Sequence, residues 1–333
     1  SYTMMQFDGN WYYEAECVNV VNFENIDTTK ANIEGADTEE PVLTVYAKAT
    51  KKVFLEGEGT EESPFLVKTE ADLTKFAEFV LDGETLAGYY LRLENDITVS
   101  GAFTVIGNSK KPFSGYFDGN NKTITGVNVE GNNYLGMFAV LYKATVKNLT
   151  LEGNVIGAKG TNGLLAGQVQ SGTTIENVTV KGSLTGGAAE LGGIAGATYK
   201  NGDDIIVIKN CVNYATINAQ FAGNNMAGGI VGATVSQLIL IENCTNYGKV
   251  SGNGTFDGGI VGLFRQCKVD TKVTGCYNYG DITGGVQVGG IVGGNRYVVE
   301  NSYVLATAKI NGTEAKDLIL DGEADAFIGA ITG

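Results

Sequence analysis

Short runs in which apolar and polar residues alternate make up most of the chain, and Gly or Asn separates one run from the next. This period of two fits β-strands far better than the 3.6-residue period of a helix. One segment differs: Thr69 followed by Asp72 forms a capping-box pattern with Asp in place of Glu. The pattern therefore predicts an almost all-β chain with one short helix at about residues 70–81.

The β-rich runs belong to tandem repeats of about 30 residues, a length typical of repeat architectures. Each unit contains a glycine block and then a second block such as KNLTLEGNV at Lys147 or ENCTNYGKV at Glu242. The glycine blocks are YLGMFA at Tyr134, NGLLAG at Asn162, LGGIAG at Leu191, AGGIVG at Ala227, DGGIVG at Asp257 and VGGIVG at Val288. Units that hold several strands and no normal-length helix predict a right-handed parallel β-helix, with the 70–81 helix as its N-terminal cap.

The repeat also indicates how the chain is divided. Residues 57–333 are assigned to the β-helix, with repeat units from about 134 to 310. Residues 1–56 are acidic and lack the repeat. The run PVLTVYAKATKKV from Pro41 fits the last strand of a partial immunoglobulin-like domain or a small β element, and we favour a small element packed on the cap.

Aligning the second blocks separates inward from outward columns, because side chains along a strand alternate between faces. Cys211, Cys244 and Cys276 form an inward column that we expect to be reduced core thiols. Two residues further on, Asn213, Asn246 and Asn278 are also inward, and we expect their amides to hydrogen-bond along the solenoid axis. A separate Asn column is predicted at a corner with left-handed backbone: Asn148, Asn177, Asn210, Asn243 and Asn301.

The amino-acid composition excludes several classes of catalytic site, metal site and binding partner. The 333 residues include 48 Gly and no His, and the formal net charge is −14. The missing His excludes Ser-His-Asp and Cys-His catalysis and His-based zinc sites within this chain. The acidic balance argues against nucleic acid and anionic membrane surfaces as partners. Five Cys without a CxxC pair indicate neither a disulfide framework nor a thiolate metal site, so we expect no metal and no cofactor.

Two sets of residues are candidates for ligand binding. The outward column of Tyr214, Tyr247 and Tyr279 predicts a strip of exposed rings at ~4.8 Å intervals, which suits a sugar face or a protein surface. A purely structural or covered strip is the competing interpretation. Arg265 and Arg296 occupy equivalent positions, so we expect them to stack on adjacent coils with Asp270 or Glu300 as an acidic partner, or to form a site for an acidic glycan. The adjacent pair Asp203 and Asp204 is interpreted as solvated loop carboxylates.

From about Gly57 to the end, the chain resembles bacterial surface proteins with GLUG repeats. The resemblance rests on the lead-in GTEESPFLVKTEADL, on FSGYFDGNNKTITGV at Phe113, and on GMFAVLYKATVKNLTLEG at Gly136. It implies a secreted or lipid-anchored, adhesin-like β-helix of gut-type Bacteroidetes or Firmicutes. Such repeats also form a non-catalytic region of metallopeptidases that cleave immunoglobulin A. The HExxH motif of those enzymes is absent here, and the resemblance transfers no catalytic residue.

We therefore expect a non-enzymatic, extracellular, adhesin-like β-helix that binds a glycan or a host protein on a lateral face. A polysaccharide lyase and a passive spacer are the alternatives. No apolar run reaches the 18 residues expected of a membrane span. The opening SYTMMQFDGN is not typical of a natural start, so we expect a leader to have been removed. The sequence does not indicate the oligomeric state.

Overall fold

The computed structural model describes residues 5–12, 20–21, 32–34, 42–51, 55–187, 190–235, 238–294, 297–318, 327–329 and 331–332. Contacts between Cα atoms divide the chain into two compact units, Ser1–Phe54 and Leu55–Gly333. In the first unit, strand Met5–Tyr12 pairs antiparallel with Tyr46–Lys51, with a register shift between Phe7 and Trp11. Asn32–Glu34 pairs antiparallel with Val42–Thr44. Whether this unit is immunoglobulin-like stays a prediction.

The second unit is a parallel β-solenoid, which confirms the predicted β-helix. After strand Phe65–Val67 and one helix, the chain winds through about eight coils, which we number by their first strands. Those strands are Tyr90–Leu93, Tyr116–Gly131, Thr145–Gly157, Thr174–Gly186, Ile206–Lys209, Ile239–Glu242, Lys272–Thr274 and Val298–Glu300. Successive first strands pair in parallel and in register from coil 3 to coil 8.

Further strands complete each coil. In coils 1–4 they are Ile97–Thr98; Phe138–Leu141; Thr161–Gly163 and Ala166–Gln170; and Glu190–Gly192 and Ala195–Tyr199. In coils 5 and 6 they are Val212–Asn213, Thr216–Gly228 and Val231–Val235, then Thr245–Asn246, Val250–Gly258 and Val261–Arg265. In coils 7 and 8 they are Tyr277–Asn278, Ile282–Thr283, Gln287–Gly289 and Val292–Gly294, then Tyr303–Val304, Lys309–Ile310, Thr313–Glu314 and Phe327–Gly329.

The core is built from columns of aliphatic side chains that repeat once per coil. One column is in register through coils 3–7 and is fully buried: Val146, Ile175, Ile208, Ile241 and Val273. Burying one such side chain contributes about 1.5–3 kcal/mol. Because each coil repeats this burial against its neighbours, the apolar stack holds the coils in register.

The helix Glu70–Leu81 has the predicted bounds and cap. The Thr69 side chain accepts a hydrogen bond from the Asp72 backbone N–H, and the Asp72 carboxylate accepts one from the Thr69 N–H. Phe76 on its buried face packs against three interior rings, with centroid distances of 5.3, 5.8 and 6.2 Å to Phe113, Phe117 and Phe138. The helix therefore covers the apolar interior of the first coils, as expected of a cap.

The predicted asparagine corner is also confirmed. Asn148, Asn177, Asn210, Asn243 and Asn301 all adopt left-handed backbone with φ between 49° and 55°. The amide of Asn177 donates to Asn148 Oδ1 at 3.0 Å. Glycine recurs in each coil for a different physical reason. At Gly259 a Cβ atom would lie 2.1 Å from the carbonyl oxygen of Gly290, so close backbone packing, rather than a left-handed φ, requires glycine there.

Candidate functional site: a tyrosine face on coils 5–8

The buried amides of Asn213, Asn246 and Asn278 form an asparagine ladder along the axis. Asn213 Nδ2 donates to Asn246 Oδ1 at 2.7 Å, and Asn246 Nδ2 donates to Asn278 Oδ1 at 2.8 Å. Each amide also bonds to the backbone two residues on: Asn213 accepts from the Ala215 N–H at 2.9 Å and donates to the Ala215 carbonyl at 3.1 Å. This local clamp bends the chain around the intervening residue, which is a tyrosine in all three coils.

That bend presents the tyrosine ladder, which consists of Tyr214, Tyr247 and Tyr279. Neighbouring ring centroids are 4.8 Å apart at both steps, with interplanar angles of 5° and 11°. The side chains are 51%, 45% and 40% exposed. The predicted spacing and outward direction are therefore confirmed, whereas ligand binding by these residues stays a prediction.

Two further tyrosines extend the ladder sideways. Tyr277 lies 6.4 Å from Tyr279 between ring centroids, and Tyr303 lies 5.4 Å from Tyr277. They are 40% and 56% exposed. Neither was predicted from the sequence, although the strand alternation that placed the ladder also directs the residue before each inward Asn or Val outward. We call all five residues the tyrosine face.

The stacking determines which surfaces of the rings a ligand can reach. Nearly parallel rings at 4.8 Å are offset-stacked, so each neighbour covers part of the face of Tyr247. Ring edges, partial faces and phenol hydroxyls are therefore presented to solvent, rather than a flat pavement of whole ring faces. In register before Tyr214 lie Lys181 of coil 4 and Glu152 of coil 3, so a charged surface adjoins the aromatic one.

The arginine pair is only partly described. Arg296 lies outside the described residues, so its stacking on Arg265 is untested. Arg265 was expected to meet Asp270 or Glu300, but the carboxyl whose pKa its charge lowers is Glu190. The Arg265 guanidinium lies 3.9 Å from Met226 Sδ in the preceding coil, and pairing of Arg265 with Asp270 or Glu300 stays a prediction. Glu300 instead pairs with Lys272 at 3.5 Å.

Glu190 and its partners form a buried polar cluster. Glu190 is 6% exposed, and burial raises its pKa despite the lowering by Arg265 and by a hydrogen bond from Tyr199. The Tyr199 hydroxyl donates to Glu190 Oε1 at 3.5 Å, and burial raises the pKa of Tyr199 to about 12. Tyr199 also packs against the buried side chains of Met226 and Leu263. These contacts indicate a structural role.

The remaining candidates from the sequence are accounted for by the packing. Asp203 is bonded to Lys200 and Lys268 at 3.1 Å each, and those hydrogen bonds lower its pKa. Cys211, Cys244 and Cys276, the cysteine ladder, are buried free thiols, which confirms their predicted inward position. Within the described part of the chain, no group of three His, Cys, Asp or Glu residues is placed to hold a metal ion. The helix in that part is too short and too polar to cross a membrane.

A buried carboxylate was not anticipated. Asp257 is fully buried in the inward column that holds Asn162 in coil 3 and Leu191 in coil 4. Its Oδ1 atom has no hydrogen-bond partner, and Oδ2 accepts from the Gly285 N–H at 3.4 Å. Burial raises the pKa of Asp257 to about 7. In the repeat alignment this acid stands where other coils have Leu191, Ala227 and Val288, and that mostly apolar column was the available signal.

Comparison with known proteins supports the architecture. No protein-family model matches the chain. The crystal structure of a candidate immunoglobulin A1 protease from Bacteroides ovatus superposes with a TM-score of 0.65 at 22% identity, covering 84% of this chain and 87% of that one. A candidate Gly-rich membrane protein of Evansella cellulosilytica is 32% identical over 140 residues, which are 37% of this chain. The chain spans only 16% of that relative's length.

Proposed function

We propose that this chain is a non-enzymatic binding module of a bacterial surface protein, of the adhesin-like GLUG type, and that it binds a glycan or a host protein through the tyrosine face. The observation that carries the proposal is five exposed, mutually stacked tyrosines on consecutive coils. Exposed aromatic clusters on a folded protein mark interaction surfaces. Tyrosine suits this use because it combines apolar area, a hydroxyl and low conformational entropy.

Rigidity supports the same proposal. The asparagine ladder fixes the backbone on both sides of each ladder tyrosine, and the rings brace one another, so little side-chain freedom remains to be lost on binding. An extracellular location agrees with the names of the relatives, one called a membrane protein and the other an immunoglobulin A1 protease. Because this chain has no His, we assign it the non-catalytic role.

The test is a screen of the isolated protein against a glycan array and a panel of mucosal and matrix proteins. The key variant is the double substitution Tyr214→Lys with Tyr247→Glu. It uses the charged residues that coils 4 and 3 carry at the same register, and both positions are at least 45% exposed, so the fold should accept it. Ile156→Ser, at a 51% exposed position of coil 3, is the matched control for loss of apolar surface.

We expect a hit whose affinity falls about tenfold or more in the double variant, a loss of about 1.4 kcal/mol, while Ile156→Ser binds as the parent does. Absence of any hit would favour the spacer role, and a hit indifferent to the double variant would exclude the tyrosine face. Unsaturated products from a uronate polymer, or cleavage of immunoglobulin A1, would refute the non-enzymatic assignment.

A further inference from the structure

A concave feature lies at the other end of the solenoid, on coils 1–3 and away from the tyrosine face. It is a cavity of about 500 Å³ whose lining includes Thr85, Ser114, Tyr116, Tyr142 and Lys143. This volume is within the range of small-ligand sites, about 300–1,000 Å³. Gly88 is part of the lining, and a Cβ atom there would meet nothing within 4 Å, so the space beside it is open.

One ring in the cavity ends an aromatic stack. Tyr116 stacks on Tyr90 of the preceding coil, with centroids 4.2 Å apart and an interplanar angle of 5°. In coil 3 the residue in register with Tyr116 is Thr145, which has no ring to continue the stack. Tyr116 therefore ends its stack, unlike Tyr247, which has a ring on both sides. Tyr116 lines the cavity and is 39% exposed, so part of its ring is accessible to the apolar face of a sugar ring.

The cavity also places a cation where the backbone favours glycine. Lys143 has a φ of +51°, a left-handed conformation that is costly for a lysine. At the equivalent corner of coil 4 stands Gly172, with a φ of +75°. The Lys143 ammonium lies 5.7 Å from the centre of the Tyr142 ring and 3.5 Å from an Asp204 carboxylate oxygen. Both partners of that ion pair are more than half exposed, so the pair is weak and exchangeable.

The charge around the cavity is unusual for this chain. Among its described lining residues, Lys143 is the one charged side chain, although acidic residues outnumber basic ones by 37 to 23 in the whole sequence. We propose that this cavity binds a sugar that carries a carboxylate, as a free monosaccharide or as the end of a chain. Lys143 binds the carboxylate, the exposed part of the Tyr116 ring packs against the sugar ring, and the Ser114 and Thr85 hydroxyls face its hydroxyl groups.

The test is binding of galacturonate, glucuronate and N-acetylneuraminate to the full chain by saturation-transfer NMR and calorimetry, with galactose as the neutral comparison. Lys143→Gly is the central variant, because the fold already uses glycine at this corner one coil later. Lys147→Met is its control: it removes a lysine of the same coil whose ion pair, to Asp118, has the same 3.5 Å separation but lies outside the cavity lining.

We expect an acidic sugar to bind more tightly than galactose. Lys143→Gly should lower the affinity for the acidic sugar about tenfold or more, as expected for the loss of a hydrogen bond to a charged group. The Lys147→Met variant should bind the acidic sugar as the parent does. The Tyr116→Thr variant should have a lower affinity for every sugar, galactose included. Comparing the monosaccharide with an oligouronate separates a terminal-sugar site from a free-sugar site. Failure of all acidic sugars to bind, or equal binding to the Lys143→Gly variant, would overturn the proposal. Because the tyrosine face is not involved, its double variant should retain this binding.

Discussion

Replacing Asp257 by asparagine should stabilise the protein at neutral and alkaline pH and change little in acid. The carboxyl group is fully buried, one oxygen lacks a partner, and the other accepts a single long hydrogen bond. Ionising it in this position is unfavourable, which raises its pKa from the ordinary 3.8 to about 7. Asn162 shows that an amide fits this column: in coil 3 it donates to the Lys159 carbonyl and accepts from the Leu135 N–H.

The size of the effect follows from the pKa difference. A pKa that is higher in the folded than in the unfolded state means that the folded protein holds a proton which the unfolded chain has released. The contribution of Asp257 to the free energy of unfolding is therefore fully present below about pH 4. It is lost as the pH rises from about 4 to about 7 and does not change further above that range. Three pKa units correspond to about 4 kcal/mol, which is the upper limit of what Asp257→Asn can recover above pH 7.

The assay is chemical denaturation of parent and variant between pH 4.5 and 8.5, followed by circular dichroism. Other carboxyls titrate in both proteins, so the difference between the two stability curves isolates Asp257. We expect that difference to grow across this range and then level off. Asp270→Asn, at an exposed aspartate, controls for the change of net charge. A difference for Asp257→Asn that does not change with pH would refute the reasoning.

Three further predictions concern the interior. Phe76→Ala should lower the free energy of unfolding by about 3–5 kcal/mol, measured by denaturation, because it removes the ring that packs the cap helix against three interior rings. Asn246→Val should cost about 2–4 kcal/mol in the same assay, because it removes the four side-chain hydrogen bonds of Asn246 and leaves one of the two N–H groups of Asn213 Nδ2 buried without a partner. The cysteine ladder should react with a thiol reagent only on unfolding, whereas the partly exposed Cys267 should react in the folded protein.

Much of the solenoid was predictable because two independent regularities coincide in it. The repeat sets which residues are equivalent, and strand alternation sets which of them face inward. Together they place Cys244 and Asn246 inside and Tyr247 outside without knowledge of the coil shape. The helix was predictable from local sequence, since the side chains of Thr69 and Asp72 each accept a hydrogen bond from the other's backbone N–H at the start of the helix.

What escaped prediction depends on distances across coils or on irregular segments. Register alone does not tell how far a side chain such as Arg265 extends, and its charge acts on Glu190 two coils away. The cavity on coils 1–3 is lined by turn residues such as Thr85, Gly88 and Lys143, where the repeat is weakest. Alternation gives no backbone angles there, so neither the cavity nor the left-handed Lys143 follows from the sequence pattern.

The interior composition of a coil also decides how its outer surface is presented. In coils 3 and 4 the inward residues are Leu151 and Val180, and the first strands run unbroken for 13 residues each. In coil 5 the equivalent residue is Asn213, whose amide bonds to the backbone of Ala215, and the strand is interrupted at Tyr214. The tyrosines therefore project from clamped bends, whereas Glu152 and Lys181 lie on continuous strands. An inward Asn followed by an outward aromatic residue is consequently a single structural unit, and transferring the tyrosine face to coils 3 and 4 would require both residues to be changed together.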